Sequence, residues 1–474
     1  MLDDTVVAIS TPPGRGAIAV VRLSGPDAVQ IAARTYRGGE DLRTAASHSV
    51  RYGRVFDSGG RLLDEVLVTI MRGPETYTGE DIVEVSCHGG PLTSRLVLDA
   101  LVEAGARLAE PGEFTKRAFL NNKMDLAQAE AVAEVVAART RKALEGALGQ
   151  LKGGMSDALR RLRATLVDAL ADLEARIDFP DDVQEELHAE RLSVSLWNVA
   201  GQLKLMVSER TASARLSAGA RVPIVGRPNV GKSSLLNALL GRSRAIVNPS
   251  PGTTRDTIEE EVDLGGVPVN LIDTAGLRSA GEEIEEEGVR RSRDEIRRAD
   301  VVIHVIDATA SDYGPDCEIL DSLCGKPVLL VVNKVDLASP ERARASLAGS
   351  ERRYPSLEQE PGRQSPCEGS VVLAEVSARN GEGIESLGNE LAKTILATQP
   401  DVDDKRGASL RHAECLRAAI AGIERAVSGL AAKTPEELVA FELRESVRQL
   451  GLITGETVGP DVLESIFSRF CVGK

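Results

Sequence analysis

The sequence predicts a multidomain chain of mixed class: an N-terminal α/β domain, a discontinuous α-helical domain, and an α/β P-loop domain inserted between the two helical segments. Three observations predict it. Residues 226–233 read Gly-Arg-Pro-Asn-Val-Gly-Lys-Ser, between the apolar run Val222-Pro223-Ile224-Val225 and the helical pattern Ser234-Leu235-Leu236-Asn237-Ala238-Leu239. A strand, a glycine loop and a helix in that order make a phosphate cradle. Residues 1–120 carry short Val- and Ile-rich runs punctuated by Gly and Pro. From Asp125 to about Ser217, and again from Leu410 to Leu450, the chain is rich in Ala, Leu, Glu and Arg with little such punctuation. The boundaries are drawn at 1–122, 123–218, 219–398 and 399–474.

In the first segment, Thr5–Ser10 and Ala17–Leu23 read as strands flanking the turn Thr11-Pro12-Pro13-Gly14-Arg15-Gly16. Glu65–Arg72 and Asp81–Cys87 are further strands, Pro91–Gly105 has helical spacing, and residues 111–123 form a short helix with polar ends. In the second segment Val132 and Val136, then Leu144, Leu148 and Leu151, recur at helical spacing. Asp178-Phe179-Pro180-Asp181 breaks that pattern once. One helical domain made from both segments fits; two separate bundles would read the same way.

The inserted module carries its chemistry in ordered motifs. Gly226 and Gly231 let the backbone curl so that N–H groups face an anion, at a helix start that adds partial positive charge. Lys232 would neutralise β- and γ-phosphates, and the Ser233 hydroxyl would bind Mg²⁺. Asp273-Thr274-Ala275-Gly276 follows the apolar run Val269–Ile272: its carboxylate can hold Mg²⁺ through water, and the Gly276 N–H can meet the γ-phosphate. In Gly252-Thr253-Thr254-Arg255-Asp256, Thr254 is the candidate switch threonine. Asn333-Lys334-Val335-Asp336 follows the strand Val328–Val332, and the Asp336 carboxylate can accept both N1–H and N2–H of guanine, a pairing adenine does not offer. Ser377-Ala378-Arg379 after Val371–Val376 would back the guanine O6.

Leu277 stands where Ras-type GTPases carry a water-orienting glutamine. Either hydrolysis is slow and needs a partner, or a polar group from Glu282-Glu283-Ile284-Glu285-Glu286-Glu287 swings in; that run is equally readable as a solvated helix face. Pro223 lacks a ladder donor and should sit at its strand's start or beside a gap in the pairing. Residues 351–369, rich in Pro, Glu, Gln and Gly, read as a mobile surface insertion.

Composition narrows the class. The 474 residues carry a formal charge of −15, which argues against indiscriminate nucleic-acid binding. Local contact would fall on Arg139–Lys142 through Lys152 to Arg160–Arg163, a stretch equally readable as a solvated helix face. The six cysteines are scattered, with no C-x-x-C pair, and signal neither a disulfide framework nor a zinc site. Met1-Leu2-Asp3-Asp4 lacks a basic leader region, and apolar runs such as Val301–Ile306 are too short to span a bilayer. A cytoplasmic protein with no membrane association is the expectation.

The chain resembles the MnmE/TrmE family of tRNA-modification GTPases. Beyond the nucleotide motifs, the resemblance is carried by Thr11–Gly16, Thr78-Gly79-Glu80-Asp81, His88-Gly89-Gly90-Pro91, Pro111-Gly112-Glu113-Phe114 and Lys123–Glu130. It continues in Asp178-Phe179-Pro180, Ile453-Thr454-Gly455-Glu456 and the terminal Cys471-Val472-Gly473-Lys474. It implies an N-terminal α/β domain that dimerises and binds tetrahydrofolate (5-formyl or 5,10-methylene), a discontinuous helical domain and an inserted Ras-like G domain. It also implies a homodimer that works with an FAD-dependent MnmG/GidA partner, as a heterotetramer or larger assembly. Together they install an aminomethyl or carboxymethylaminomethyl group at C5 of wobble uridine 34 in certain tRNAs.

The resemblance also assigns residues. GTP would be held by Asn229, Val230, Gly231, Lys232, Ser233 and Ser234; by Asn248, Pro249, Ser250, Pro251, Gly252, Thr253 and Thr254; and by Asp273, Thr274, Ala275 and Gly276. Asn333, Lys334, Asp336, Ser377, Ala378 and Arg379 would hold the base. Mg²⁺ falls to Ser233 and Thr254, and K⁺ to Asn229, Asn248, Ser250 and Thr253, the cation replacing an arginine finger when G domains pair. The sequence Asn248-Pro249-Ser250-Pro251 departs from a well-known family pattern, and its two prolines stiffen the loop. The catalytic glutamate falls on Glu285, with Glu286 or Glu283 as neighbouring alternatives. Folate would be held by Arg22, Glu84, Lys123 and Lys474, carboxylate to pterin N–H and cations to the anionic tail. Read without the family, Arg22 and Glu84 are a surface ion pair. Cys471 could be a nucleophile or, more simply, order the tail beside Phe467 and Phe470.

Overall fold

The computed structural model describes residues 4–178, 185–242, 244–245, 259–273, 295–323, 325–341, 371–397 and 408–473. They belong to two compact units: Met1–Ala133, Gly149–Ala200 and Ala418–Lys474 make one, and Glu134–Leu148 with Gly201–Arg417 the other.

The first unit is built on strands β1 (Val6–Ile9), β2 (Ile18–Ser24), β3 (Tyr36–Gly38), β4 (Ser49–Phe56), β5 (Leu62–Met71), β6 (Ile82–His88) and β7 (Arg107–Leu108). They form one sheet in the order β3-β4-β5-β6-β2-β1-β7, antiparallel except for the β1–β7 pair. The period-2 alternation of strands sorts the side chains. Val21, Leu23, Val83, Val85, Val66 and Val68 share a core with Ile31 of the helix Ala28–Thr35 and with Val97, Leu98 and Leu101 of the helix Pro91–Glu103. Leu101 is fully buried; that burial stabilises by roughly 2–3 kcal/mol, and Leu101→Ala would open a cavity there. Arg22 and Glu84 alternate out of this core, with Arg22 opposite both Ala8 and Glu84 in the ladders.

The four expected strands and both expected helices of this segment form, with ends within three residues of those expected. β3, β4, β7 and the helix Ala28–Thr35 were not anticipated. In β4 the alternation is interrupted by Gly53, and the reason is tertiary. A Cβ on Gly53 would lie 2.3 Å from the Tyr36 ring, which covers it. Within the same unit the helices Gly154–Asp178 and Glu436–Thr454 pack on one another. Three ion pairs lace them: Arg176–Glu436 at 2.7 Å, Arg444–Glu174 at 2.6 Å and Arg163–Glu456 at 3.0 Å. Segments from before and after the nucleotide module thus share one packing layer. The helix Gly154–Asp178 runs to the edge of the described residues, and the expected break at Phe179, Pro180 and Asp181 lies outside them.

The second unit contains β8 (Ala220–Val225), β9 (Arg244–Ala245), β10 (Glu259–Leu264), β11 (Val267–Asp273), β12 (Val302–Asp307), β13 (Val328–Asn333) and β14 (Val371–Val376), in the order β14-β13-β12-β8-β11-β10-β9. Five strands run parallel; β10 returns antiparallel on β11 through Gly265 and Gly266, whose φ of +64° and +90° suit a two-residue hairpin turn. Buried Val and Ile from β8, β11, β12 and β13 pack against Leu235, Leu236 and Leu239 of the helix Lys232–Arg242 and Leu387 and Leu391 of the helix Ile384–Ala397. Ala143 joins this core from residues 134–148. Pro223 pairs with Ile272 on one side, while pairing with β12 starts only at Ile224. The proline therefore stands beside the expected gap in the pairing.

Candidate functional site

In an open parallel sheet, ligands gather at the carboxyl ends of the strands. In the second unit the phosphate loop leaves β8, Asp273 ends β11, Asn333 ends β13, and Ser377 follows β14. The loop has the curvature its glycines allow. Gly226 lies at φ +146° with its Cβ position 2.3 Å from the Val305 carbonyl oxygen, and Gly231 at φ +100° with its Cβ position 2.3 Å from Asn333 Nδ2. Any side chain at either place would push the loop off β12 or off the Asn333 amide.

Polar contacts fasten the parts together. Ser233 Oγ donates to Asp273 Oδ2 at 2.8 Å, so a hydroxyl and a carboxylate converge at the start of the helix. Lys232 Nζ donates to the carbonyls of Gly226 at 2.9 Å and Arg227 at 2.7 Å, inside the loop's own curl. Asn333 Nδ2 donates to the Val230 carbonyl at 2.9 Å, and its Oδ1 accepts the Ala378 N–H at 3.0 Å. The buried Asn333 amide thus joins the phosphate loop to the Ser-Ala-Arg loop. Ser377 Oγ donates to Asp336 Oδ1 at 2.7 Å, which aims that carboxylate. Ser234, Asp336 and Arg379 are exposed.

One residue tied to the motif loops was not anticipated. Asp307, the last residue of β12, accepts Lys334 Nζ at 2.6 Å, while the same Nζ donates to the Asn229 carbonyl at 2.9 Å. Thr309 fixes the other carboxylate oxygen with its N–H at 2.9 Å and its hydroxyl at 2.7 Å. Burial opposes ionisation here, but Lys334 and Thr309 hold the Asp307 carboxyl below the usual range. Lys334 and Asn229 sit at φ +67° and +64°, conformations that non-glycine residues adopt under constraint. The local signal was an Asp closing an apolar strand, Val302-Ile303-His304-Val305-Ile306-Asp307, at the sheet end where the motif loops lie.

Two family models match: the MnmE helical domain over residues 126–471, and the GTP-binding protein TrmE N-terminus over residues 5–123. The tRNA modification GTPase MnmE of Moorella thermoacetica is 42% identical, over 100% of both chains. The proteins of that name from Symbiobacterium thermophilum (42% identical, 100% of both chains) and Geobacillus thermodenitrificans (42%, 99% of both) align equally far. This chain belongs to the MnmE family.

Membership makes it a GTP hydrolase of tRNA modification. Of the positions that the MnmE resemblance assigns to GTP and the cations, Asn248, Pro249, Ser250, Pro251, Gly252, Thr253, Thr254, Thr274, Ala275, Gly276 and Glu285 lie outside the described residues, as do Leu277 and 351–369. Ser233 and Asp273 present hard oxygen donors, the chemistry Mg²⁺ takes.

Of the positions that the resemblance assigns to folate, Arg22, Glu84 and Lys123 fall in the first unit. Arg22 and Glu84 meet at 2.7 Å across β2 and β6, each side chain about a quarter exposed. The Arg22 guanidinium also lies over the rings of Tyr77 and Phe114, at 5.9 Å and 5.7 Å. Lys123 Nζ donates to the Pro74 carbonyl at 3.0 Å, and its stem lies against Gly79. Lys474 lies outside the described residues, but Ser10 Oγ donates to the Gly473 carbonyl at 3.1 Å, which brings the chain's end onto β1. Cys471 is exposed.

The basic stretch considered for RNA is largely paired. Arg139 is matched with Glu261, Arg141 with Glu145, Arg160 with Asp125 and Asp157, and Arg163 with Glu456. Among the described residues no helix is long and apolar enough to cross a membrane, and no three His, Cys, Asp or Glu cluster as a metal site.

Proposed function

We propose that this chain is a potassium-stimulated GTPase that dimerises and, with an FAD-dependent MnmG/GidA-type partner, installs the (carboxymethyl)aminomethyl group at C5 of wobble uridine 34 in certain tRNAs. The observation that carries the reading is the joined site, in which the Asn333 amide ties the phosphate loop to the Ser377–Arg379 loop and Ser233 meets Asp273. Lys232 and the loop N–H groups bind the phosphates. Asp336, aimed by Ser377, accepts the guanine N1–H and N2–H. Glu285 orients the attacking water, taking the role that Leu277 leaves open. Ser233 with Thr254 would hold Mg²⁺, and Asn229, Asn248, Ser250 and Thr253 would hold K⁺. Bound there, the cations would supply positive charge to the phosphate oxygens.

Domain boundaries at 1–122, 123–218, 219–398 and 399–474 belong to the same reading. So does a tetrahydrofolate site at Arg22, Glu84, Lys123 and Lys474. It is supported by the two aromatic rings flanking the guanidinium and by the tail lying on β1. The Glu84 carboxylate would accept pterin N–H donors, and the Arg and Lys side chains would pair with the anionic tail. Mass spectrometry of tRNA from a deletion strain tests the whole. Wobble uridine lacking the C5 group, restored by this chain, is the expected result; full modification in its absence refutes the reading. GTP turnover in KCl against NaCl tests the cation separately, and equal rates remove it.

A further inference from the structure

Behind the phosphate loop lies a buried polar cluster that nucleotide contact does not use. His304, in the middle of β12, is fully buried, and neither ring nitrogen has a hydrogen-bond partner among the described residues. Asp316, in the first turn of the helix Gly314–Ser322, is 1% exposed. Its Oδ1 is likewise unpartnered among the described residues, 4.0 Å from His304 Nε2. Its Oδ2 faces Arg227 Nη1 at 3.4 Å, and the same Nη1 donates to the Asp312 carbonyl at 3.1 Å.

A carboxylate in the first turn of a helix favours the helix dipole, but a solvated one does that without burial. Burying it with one oxygen unpaired is unfavourable. The group it faces is the second residue of the phosphate loop. Arg227 is held there from both sides, its guanidinium on Asp316 and its carbonyl accepting from Lys232 Nζ. The loop's first residue, Gly226, is pressed against Val305, next to His304.

We propose that Asp316 is a positioning residue of the GTPase. By holding Arg227 it sets the limb of the phosphate loop on which Lys232 rests, and it does so at the expense of fold stability. The proposal rests on the GTP-hydrolase reading and adds to it a residue that touches neither nucleotide nor metal.

The trade-off separates this role from a merely structural one. Asp316→Asn in the full chain keeps the shape and removes the buried charge. We expect a GTP KM raised about tenfold, roughly the weight of one charge-assisted contact, with kcat changed less. The nucleotide-free protein should melt no lower than wild type at pH 7. Arg227→Ala should raise KM as much, and the double variant no further, because both remove one tether. Unchanged KM in Asp316→Asn overturns the proposal. So does a parallel fall in stability and activity, or additive effects in the double variant. Wild-type GTP turnover, measured alongside, reports on the GTPase reading independently.

Discussion

His304 makes the fold acid-sensitive, by an amount that follows from its burial. The imidazole is fully buried in β12; burial, with the positive charge of Lys232, pushes its pKa from 6.5 down to about 4. Arg227 stands on the far side of Asp316, and Asp316 is the carboxylate that approaches the ring. A depressed base binds fewer protons folded than unfolded, so stability rises with pH in this window. The stabilisation is complete above pH 6.5 and is lost as pH falls toward 4. A shift of 2.5 units is worth about 3 kcal/mol in full, of which about 2 kcal/mol is gone by pH 5. For a unit of this size that lowers the melting temperature by about 4–8 °C.

His304→Phe keeps an aromatic shape and removes the titration. The assay is scanning calorimetry of the full chain at pH 7 and pH 5, following the transition that GDP raises, since a ligand stabilises the unit that binds it. Wild type should lose about 4–8 °C more than the variant between the two pH values. Asp316, whose carboxyl burial pushes up against the pull of Arg227, works in the opposite direction, but it is present in both proteins and largely cancels in the comparison. Equal slopes for the two proteins would falsify the account of the buried ring.

Ser233→Ala removes the hydroxyl that meets Asp273, and GTP turnover should fall at least about tenfold, with Mg²⁺ titration showing a weaker cation requirement site. Asp336→Asn replaces an acceptor of two guanine N–H groups by an amide; GTP affinity should drop by about 2–3 kcal/mol in calorimetric titration while xanthosine triphosphate, which carries a carbonyl at C2, gains. Iodoacetamide should label exposed Cys471 and spare Cys87, whose thiol burial and the nearby Asp64 push up to about 11, as read by peptide mass spectrometry after a short pulse at pH 8.

The phosphate loop, the guanine motifs and the helical segments were legible because local chemistry dictates them. A loop that must curl around anions needs Gly226 and Gly231, and a long buried helix needs apolar residues at its own period. Arg22 and Glu84, 62 residues apart, read without the family as no more than a surface ion pair, and a folate role for them came only through the resemblance. Tertiary structure alone decided what lies between elements. It put Asp307 on Lys334, and Asp316 under Arg227 across 89 residues of chain. It laid Tyr36 over Gly53, which broke the alternation of β4 and hid that strand. It also started the β12 pairing one residue past Pro223. Periodicity and turn chemistry act over a few residues and are written where they act. Burial, charge pairing and register depend on which distant segment arrives, and the chain acquires those only on folding.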